Sequence, residues 1–202
     1  MSKTRAEAAA WEFVKQNSPS FDLVVINPDI ITGPMLHPIS GPKSINETNQ
    51  FAIGSFINGT HKQIDGVTFL FYHFVGFQPH VMFIQALKLI HRQVDVRDVA
   101  RSHVDALINP SAPNQRILLI SGLIAPQLVA NTIRKNFPQL RDRVPEGNPT
   151  QYLPPGVHPT GWDMRVSLDI LAKGTKEGKW EYRDLETSVT DTVRSMIENH
   201  VI

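Results

Sequence analysis

The chain has 202 residues, of which 41% are hydrophobic and 19% charged, a composition typical of a globular protein with one core or one domain and part of a second. Lys and Arg number 20 and Asp and Glu 19, giving a formal net charge of +1, and no basic run stands out. We therefore expect neither nucleic acid nor an anionic membrane as a partner. The absence of cysteine excludes disulfides, thiolate nucleophiles and Cys-ligated zinc.

The first predicted element is an amphipathic helix that begins almost at the first residue. Between residues 5 and 15, apolar side chains recur at the spacing i, i+3, i+4, i+7, i+8, which predicts one face packed on a core: Ala6, Ala9, Ala10, Phe13 and Val14. This charged, amphipathic start has no apolar signal region, so we expect a cytoplasmic location.

The run FDLVVINP (residues 21–28) predicts a short, buried parallel strand that is ended by Pro28. A helix followed by a buried strand is half of a βαβ unit, and an amphipathic helix needs a sheet to cover. We therefore interpret the start at Met1 as a cut through a domain.

Loops dominate residues 32–66, with a helix predicted from Asn46 to Phe56. The run VDVRDVARSHVDALIN (94–109) then predicts a short strand that leads into a helix. Its predicted core face carries Val96, Val99, Ala100, His103, Val104 and Leu107. The eight His residues show no metal-ligand spacing, and we interpret His103 as a packing residue.

The remaining elements alternate between strand and helix. QRILLISG (115–122) predicts a strand, and APQLVANTIRKNFPQL (125–140) predicts a helix with Pro126 in its first turn. A Pro- and Gly-rich loop (145–161) precedes a last helix, DLETSVTDTVRSMIENHV (184–201). Its apolar residues repeat every four positions and predict a core face: Leu185, Val189, Val193 and Ile197.

Five motifs in this order resemble the downstream half of an extended short-chain dehydrogenase/reductase. They are SKTRAEAAAWEF, VVINPDIITGP, VDVRDVARSHVDAL, RILLISG and IRKNFPQL. The resemblance is to the methylglyoxal and isovaleraldehyde reductase branch, related to dihydroflavonol and cinnamoyl-CoA reductases, within the NAD-dependent epimerase/dehydratase superfamily. It implies an α/β fold: the C-terminal part of a Rossmann-type doubly wound sheet plus a small α/β substrate-binding domain.

The resemblance also implies a domain organisation. Residues 1–35 would hold the last helix and strand of a truncated Rossmann domain, and 36–74 the loops and helix of the substrate domain. Residues 94–109 would return to the Rossmann part, and 110–202 would form the substrate-binding domain. Residues 75–93 separate FYHF from VDVRDVA, which the family keeps adjacent, so we interpret them as an atypical insert, either a retained intron or a genuine lid or partner surface.

Four residues match functional positions of the family. The family's helix begins with Tyr-x-x-Ser-Lys, in which Tyr gives a proton to the developing alkoxide while Lys lowers the Tyr pKa and hydrogen-bonds the nicotinamide ribose. Lys3 matches that Lys, and the matching Tyr would precede Met1. The resemblance also implies that Pro28 shapes a turn beside the nicotinamide, that the backbone of Ile31 meets the carboxamide, and that Thr48 lies near the same ring.

These residues imply an NAD(P)H-dependent carbonyl reductase with NADP(H) as cofactor and a small carbonyl substrate. The Gly-rich phosphate fingerprint of the family is absent from the sequence. We therefore expect the chain by itself to be inactive and to bind the cofactor poorly. A catalytically dead interaction module and a nucleotide-sugar epimerase or dehydratase are the alternatives.

The stretch from Val67 to Leu87 carries no formal charge. Gln78, Pro79, His80 and Gln85 argue against a membrane segment, because each would need a partner at bilayer depth. We expect instead self-association through residues 67–90.

Overall fold

The computed structural model describes residues 2–64, 92–153 and 162–202. Their backbone forms two compact units that interleave along the chain. Unit 1 comprises residues 1–28, 99–119 and 163–181, and unit 2 comprises residues 29–98, 120–162 and 182–202.

Unit 1 is built on two parallel strands, β1 (Val25–Pro28) and β4 (Arg116–Leu119), in a register that pairs Val25 with Arg116 and Pro28 with Leu119. Three helices contribute to it: α1 (Ser2–Asn17), most of α4 (Val96–Ile108) and α6 (Arg165–Lys173). The hydroxyl of Ser167 accepts a hydrogen bond from the backbone N–H of Leu118 at 2.9 Å, which joins α6 to β4.

The predicted strand and helices of unit 1 are present, but their predicted burial is wrong. Every residue of β1 is only half-buried. Helix α1 has no buried residue, and Phe13, on its predicted core face, is 54% exposed. The side of α1 that makes a polar contact carries Glu7, whose carboxylate accepts a hydrogen bond from Arg116 Nε at 2.6 Å.

The predicted core face of α4 is also wrong. Val104 is 60% and Leu107 86% exposed, and His103 is exposed rather than packed, with its ring Nδ1 2.7 Å from the carbonyl oxygen of Val99. The buried side of the helix is polar instead, and carries Asp98 and Ser102.

Unit 2 contains the main apolar core of the described residues. Strand β3 (Arg92–Asp95) lies between β2 (Ile30–Thr32), which is parallel to it, and β5 (Gly122–Leu123), which is antiparallel. The predicted 46–56 helix is present in three segments: α2 (Glu47–Asn49), a π-helical turn (Gln50–Gly54) and α3 (Ser55–Ile57).

Two long helices complete this core, α5 (Pro126–Asn136) and α7 (Leu185–Glu198). Pro126 stands at the start of α5, as predicted, and the predicted core face of α7 is confirmed. Val189 and Val193 are fully buried, and Leu185 and Ile197 pack against the core.

Strand β1 ends at Pro28, as the sequence predicted. A single bend residue, Asp29, separates β1 from β2. The carboxylate of Asp29 accepts a hydrogen bond from the backbone N–H of Arg92 at 3.2 Å, which fixes the start of β2 beside β3.

Residues 65–91, which include most of the predicted insert and all of the predicted self-association segment, lie outside the described residues. Arg92 and Gln93, the last two residues of the predicted insert, belong to β3, and Gln93 is fully buried. Residues 110–202, predicted as one substrate domain, are distributed over both units. In the described part of the chain, no helix is long and apolar enough to cross a membrane.

Candidate functional site

Lys3 lies in the first turn of α1, exposed to solvent. It makes no hydrogen bond or ion pair with the residues that the structure describes. Glu7, one helical turn further on, is the acidic residue that an i, i+4 pair would give it. Glu7 is engaged elsewhere, because the hydrogen bond from Arg116 holds its carboxylate and lowers its pKa. The ammonium of Lys3 therefore has no partner among the described residues.

Pro28 stands at the carboxyl end of β1, paired with Leu119 at the carboxyl end of β4. Ligands of open α/β sheets bind outside the carboxyl ends of parallel strands, so this is the edge at which a nicotinamide site is expected. Lys3 and Pro28 both belong to unit 1.

Ile31 and Thr48 belong to unit 2. Ile31 is half-buried in the middle of β2, in register with Val94 of β3, and Thr48 is half-buried in α2. Asn49 holds the two segments together, because its side-chain amide donates to the carbonyl of Gly33 at 2.8 Å. The structure therefore brings together the segments that carry Ile31 and Thr48.

A buried hydrogen-bond network that sequence reasoning missed lies directly after Ile31. The hydroxyl of Thr32 donates to the side-chain carbonyl of Gln93 at 3.0 Å, and the Ser188 hydroxyl lies 2.8 Å from that of Thr32. All three side chains are buried, so the hydrogen bonds are needed to offset their desolvation. Thr32, a polar residue directly after the apolar pair Ile30 and Ile31, was the available signal.

Two buried carboxylates mark the junction of β3 and α4. Asp95 is fully buried and accepts hydrogen bonds from the backbone N–H of Arg97 at 2.9 Å and from its guanidinium at 2.8 Å. Burial acts to raise the pKa of Asp95, but the hydrogen bonds from Arg97 and Ser188 outweigh it, so that the pKa lies below its ordinary value. Arg97 also donates to Asp191 on α7 at 2.8 Å.

Asp98, also fully buried, accepts a hydrogen bond from the backbone N–H of Arg183 at 2.8 Å and another from its guanidinium. The segment DVRD (95–98) therefore holds the start of α4 against α7 and against Arg183, which precedes α7. Because both carboxylates accept hydrogen bonds from arginine, they act as structural anchors rather than as free acids or bases.

Comparison with known proteins shows that this chain is similar to reductases. It is 32% identical over 98% of its length to a ketoreductase of Aspergillus niger, and 29% identical over 97% to a protein of Candida albicans named as a putative NADPH-dependent methylglyoxal reductase. It covers 50% and 49% of these two proteins. No family model matches the chain.

The structural comparison agrees with the sequence comparison. The crystal structure of Gre2 from Candida albicans superimposes with a TM-score of 0.68 at 29% identity, over 96% of this chain and 50% of that one. The fold class is that of the Rossmann-type α/β reductases, as the sequence predicted. The chain is similar to reductases of the short-chain dehydrogenase/reductase type, and it spans about half the length of the relatives it matches.

Proposed function

We propose that this chain supplies the downstream half of the active site of a cytoplasmic NADP(H)-dependent reductase of small carbonyl compounds. One observation supports this most strongly: 98% of the chain aligns with a ketoreductase at 32% identity, and the aligned relatives include proteins named as NADPH-dependent. Lys3, Pro28, Ile31 and Thr48 are the residues proposed to face the nicotinamide end of the cofactor.

The residues present fit one end of this cofactor better than the other. At the nicotinamide end, the Lys3 ammonium is exposed and free of partners among the described residues, as a ribose ligand must be. At the pyrophosphate end, the sequence offers no G-x-G-x-x-G turn. Gly33 does not provide a phosphate-binding turn either. A Cβ at this position would meet Val96 Cγ1 at 2.7 Å, so packing within the chain explains why the residue is glycine.

When bound, the cofactor would supply the hydride for the carbonyl carbon. The proposed part of Lys3 is to hydrogen-bond the ribose and, by its positive charge, to favour the phenolate of a tyrosine one helical turn before it. Such a tyrosine is not part of this sequence, so the proton donor must come from another segment. Activity is therefore proposed only for an assembly that contains both halves.

The first test is a fluorescence titration of the 202-residue chain with NADPH. Without a phosphate site, the chain alone is expected to show no saturable binding in the micromolar range. Saturable binding at micromolar NADPH would contradict the assignment of the phosphate site to another segment.

The second test concerns Lys3 in an active assembly in which a relative's upstream half supplies the tyrosine. Lys3→Ala should lower kcat by about 100-fold, the scale of a positioned acid–base group, with little change in stability. Lys3→Arg should not restore the rate, since a planar guanidinium is a poor substitute for a compact ammonium. Lys15, exposed near the other end of α1, is the matched control, and Lys15→Ala should leave kcat unchanged. A Lys3→Ala assembly that reduces aldehydes at the parental rate would refute the proposed role.

A further inference from the structure

Asn58 and Gly59 form a turn directly after α3 (Ser55–Ile57), and they are the only Asn-Gly pair in the sequence. Both residues are exposed to solvent. Attack of a peptide nitrogen on the side-chain carbonyl of the preceding asparagine is the first step by which asparagine loses ammonia. Glycine favours this attack because it has no Cβ to shield its nitrogen. The two reacting groups therefore lie in adjacent residues at an exposed turn.

The Gly59 nitrogen is free to act as the nucleophile. Its N–H donates no hydrogen bond to the residues that the structure describes. The N–H groups of Asn58 and His61, in contrast, both donate to carbonyls of the helical segments before the turn, at 2.9 and 3.0 Å. Gly59 has φ +82°, and a Cβ there would meet nothing within 4 Å. The peptide unit therefore has room to rotate toward the Asn58 side chain.

The side-chain carbonyl of Asn58 is polarised by two hydrogen bonds. Its Oδ1 accepts one from the backbone N–H of Thr60 at 3.0 Å and another from the Thr60 hydroxyl at 2.7 Å. Attack on the carbonyl carbon places negative charge on this oxygen, and donors already aimed at it stabilise that charge. The turn thus holds two donors at the atom on which the charge develops.

A second turn of the chain has the same donors but no nucleophile. The side-chain carbonyl of Asn148, also exposed, accepts hydrogen bonds from the backbone N–H of Thr150 at 3.3 Å and from its hydroxyl at 2.9 Å. The residue between them is Pro149, which has no N–H. Asn148 therefore has an activated carbonyl that the next residue cannot attack, and it provides a matched control for Asn58.

We propose that Asn58 is a site of spontaneous deamidation, a modification of the folded chain that requires only water. The Gly59 nitrogen gives its proton to solvent and bonds to Cγ of Asn58, while the bond from Cγ to Nδ2 breaks and ammonia leaves. Water then opens the cyclic imide at either carbonyl, which leaves aspartate or isoaspartate at position 58. The chain gains one negative charge, and no oxidant or reductant is consumed. This inference does not depend on the proposed reduction.

The isoaspartate product would also change the packing around the turn, because it lengthens the main chain by one carbon. Two contacts span this turn: the His61 N–H donates to the carbonyl of Ser55 at 3.0 Å, and the rings of His61 and Phe56 lie 5.2 Å apart between centroids. Isoaspartate should weaken both contacts. The aspartate product keeps the length of the main chain and should preserve them.

The experiment is incubation of the folded 202-residue chain in mildly alkaline buffer, followed by digestion in acid, liquid chromatography and mass spectrometry. The peptide that contains Asn58 should gain one mass unit and separate into two products, aspartate and isoaspartate. Asn148 and Asn17 are internal controls. The N–H of Ser18, the residue after Asn17, donates to the carbonyl of Val14 at 3.0 Å, so it is not a free nucleophile. Both controls should remain asparagine while Asn58 reacts.

Two substitutions test the geometry of the turn. Thr60→Val removes the hydroxyl donor and should slow deamidation of Asn58 by roughly 2- to 10-fold, the equivalent of one hydrogen bond. Thr60 is exposed, so this variant should keep the circular dichroism spectrum of the parent chain. Pro149→Gly supplies the missing N–H and should make Asn148 deamidate as well.

Three outcomes would overturn the inference. The first is an Asn58 that stays intact in the folded chain but reacts when the chain is unfolded in urea. The second is an equal rate at Asn58 in the parent chain and in Thr60→Val, which would refute activation by Thr60. The third is an equal rate at Asn58 and Asn17 in the folded chain, which would show that the turn does not favour the reaction.

Discussion

Removal of the Asp98 carboxylate tests whether the DVRD segment anchors α4. Asp98 is fully buried and holds both the backbone N–H and the guanidinium of Arg183. Asp98→Ala would leave that N–H without its partner and the guanidinium without its counter-charge.

The expected loss follows from these two contacts. An unsatisfied buried donor costs about 1–3 kcal/mol, and a hydrogen bond to a charged group contributes about 1.5–3 kcal/mol. The Arg183 side chain is 40% exposed, so water can hydrate its guanidinium in the variant and recover part of this loss. We therefore expect Asp98→Ala to lower the free energy of unfolding by about 2–3 kcal/mol, and Asp98→Asn, which keeps an acceptor, by less.

The assay is urea unfolding at neutral pH followed by circular dichroism. The matched control is Asp163→Ala, since Asp163 also pairs with an arginine, Arg165, but the two side chains are 59% and 89% exposed. That control should leave the unfolding midpoint unchanged, as expected for a surface ion pair. If Asp98→Ala lowered the stability by no more than Asp163→Ala, the structural role of the buried pair would be refuted.

Three further predictions concern other residues of unit 2. Gly33 has φ +133°, and a Cβ would meet Val96 Cγ1 at 2.7 Å, so Gly33→Ala should destabilise the chain by about 2–4 kcal/mol in urea unfolding. The pKa of Asp95 in the folded chain is lowered from 3.8, so its ionised carboxylate stabilises the fold above that pH. This stabilisation is lost as the pH falls through the lower pKa of the folded chain. Asp95→Asn should therefore make the stability depend less on pH in acid unfolding curves. Asp184 caps α7 by accepting a hydrogen bond from the N–H of Thr187 at 2.8 Å, so Asp184→Ala should cost about 0.5–2 kcal/mol and Asp184→Asn less.

Each of these predictions has a contrary result. Unchanged stability in Gly33→Ala would mean that the backbone at the end of β2 shifts to accommodate the Cβ without a loss of stability. Parallel acid unfolding curves of the parent chain and Asp95→Asn would show that Asp95 titrates alike in the folded and unfolded chain. Equal losses in Asp184→Ala and Asp184→Asn would show that the cap hydrogen bond is not the stabilising contact.

Periodicity in the sequence predicted most of the elements, but not α6 (Arg165–Lys173). The four-residue repeat of Val189 and Val193 placed the core face of α7 correctly, because this helix packs within a unit that supplies its cover. Pro126 marked the start of α5 for a local reason, since proline lacks the N–H that the first helical turn leaves unpaired. Such features depend on neighbours along the chain, and the sequence contains them in full.

Only part of the proposed site could be predicted from the sequence. Lys3, Pro28, Ile31 and Thr48 come from family motifs, and their roles stay predictions. Asn49, which ties the segment of Thr48 to the end of β2, has no local signal, because its partner, the Gly33 carbonyl, is 16 residues away in the chain.

The sequence by itself determined where most of the helices and strands form, which family its motifs resemble and which chemistry that resemblance implies. Only the tertiary structure decided which faces are buried. Leu107 belongs to a stripe patterned for a core yet is exposed, whereas Asp98 on the same helix is buried against Arg183. The physical reason is that periodicity records which side chains gain by leaving water, while burial also requires a surface that covers them, and that surface comes from residues distant in the chain.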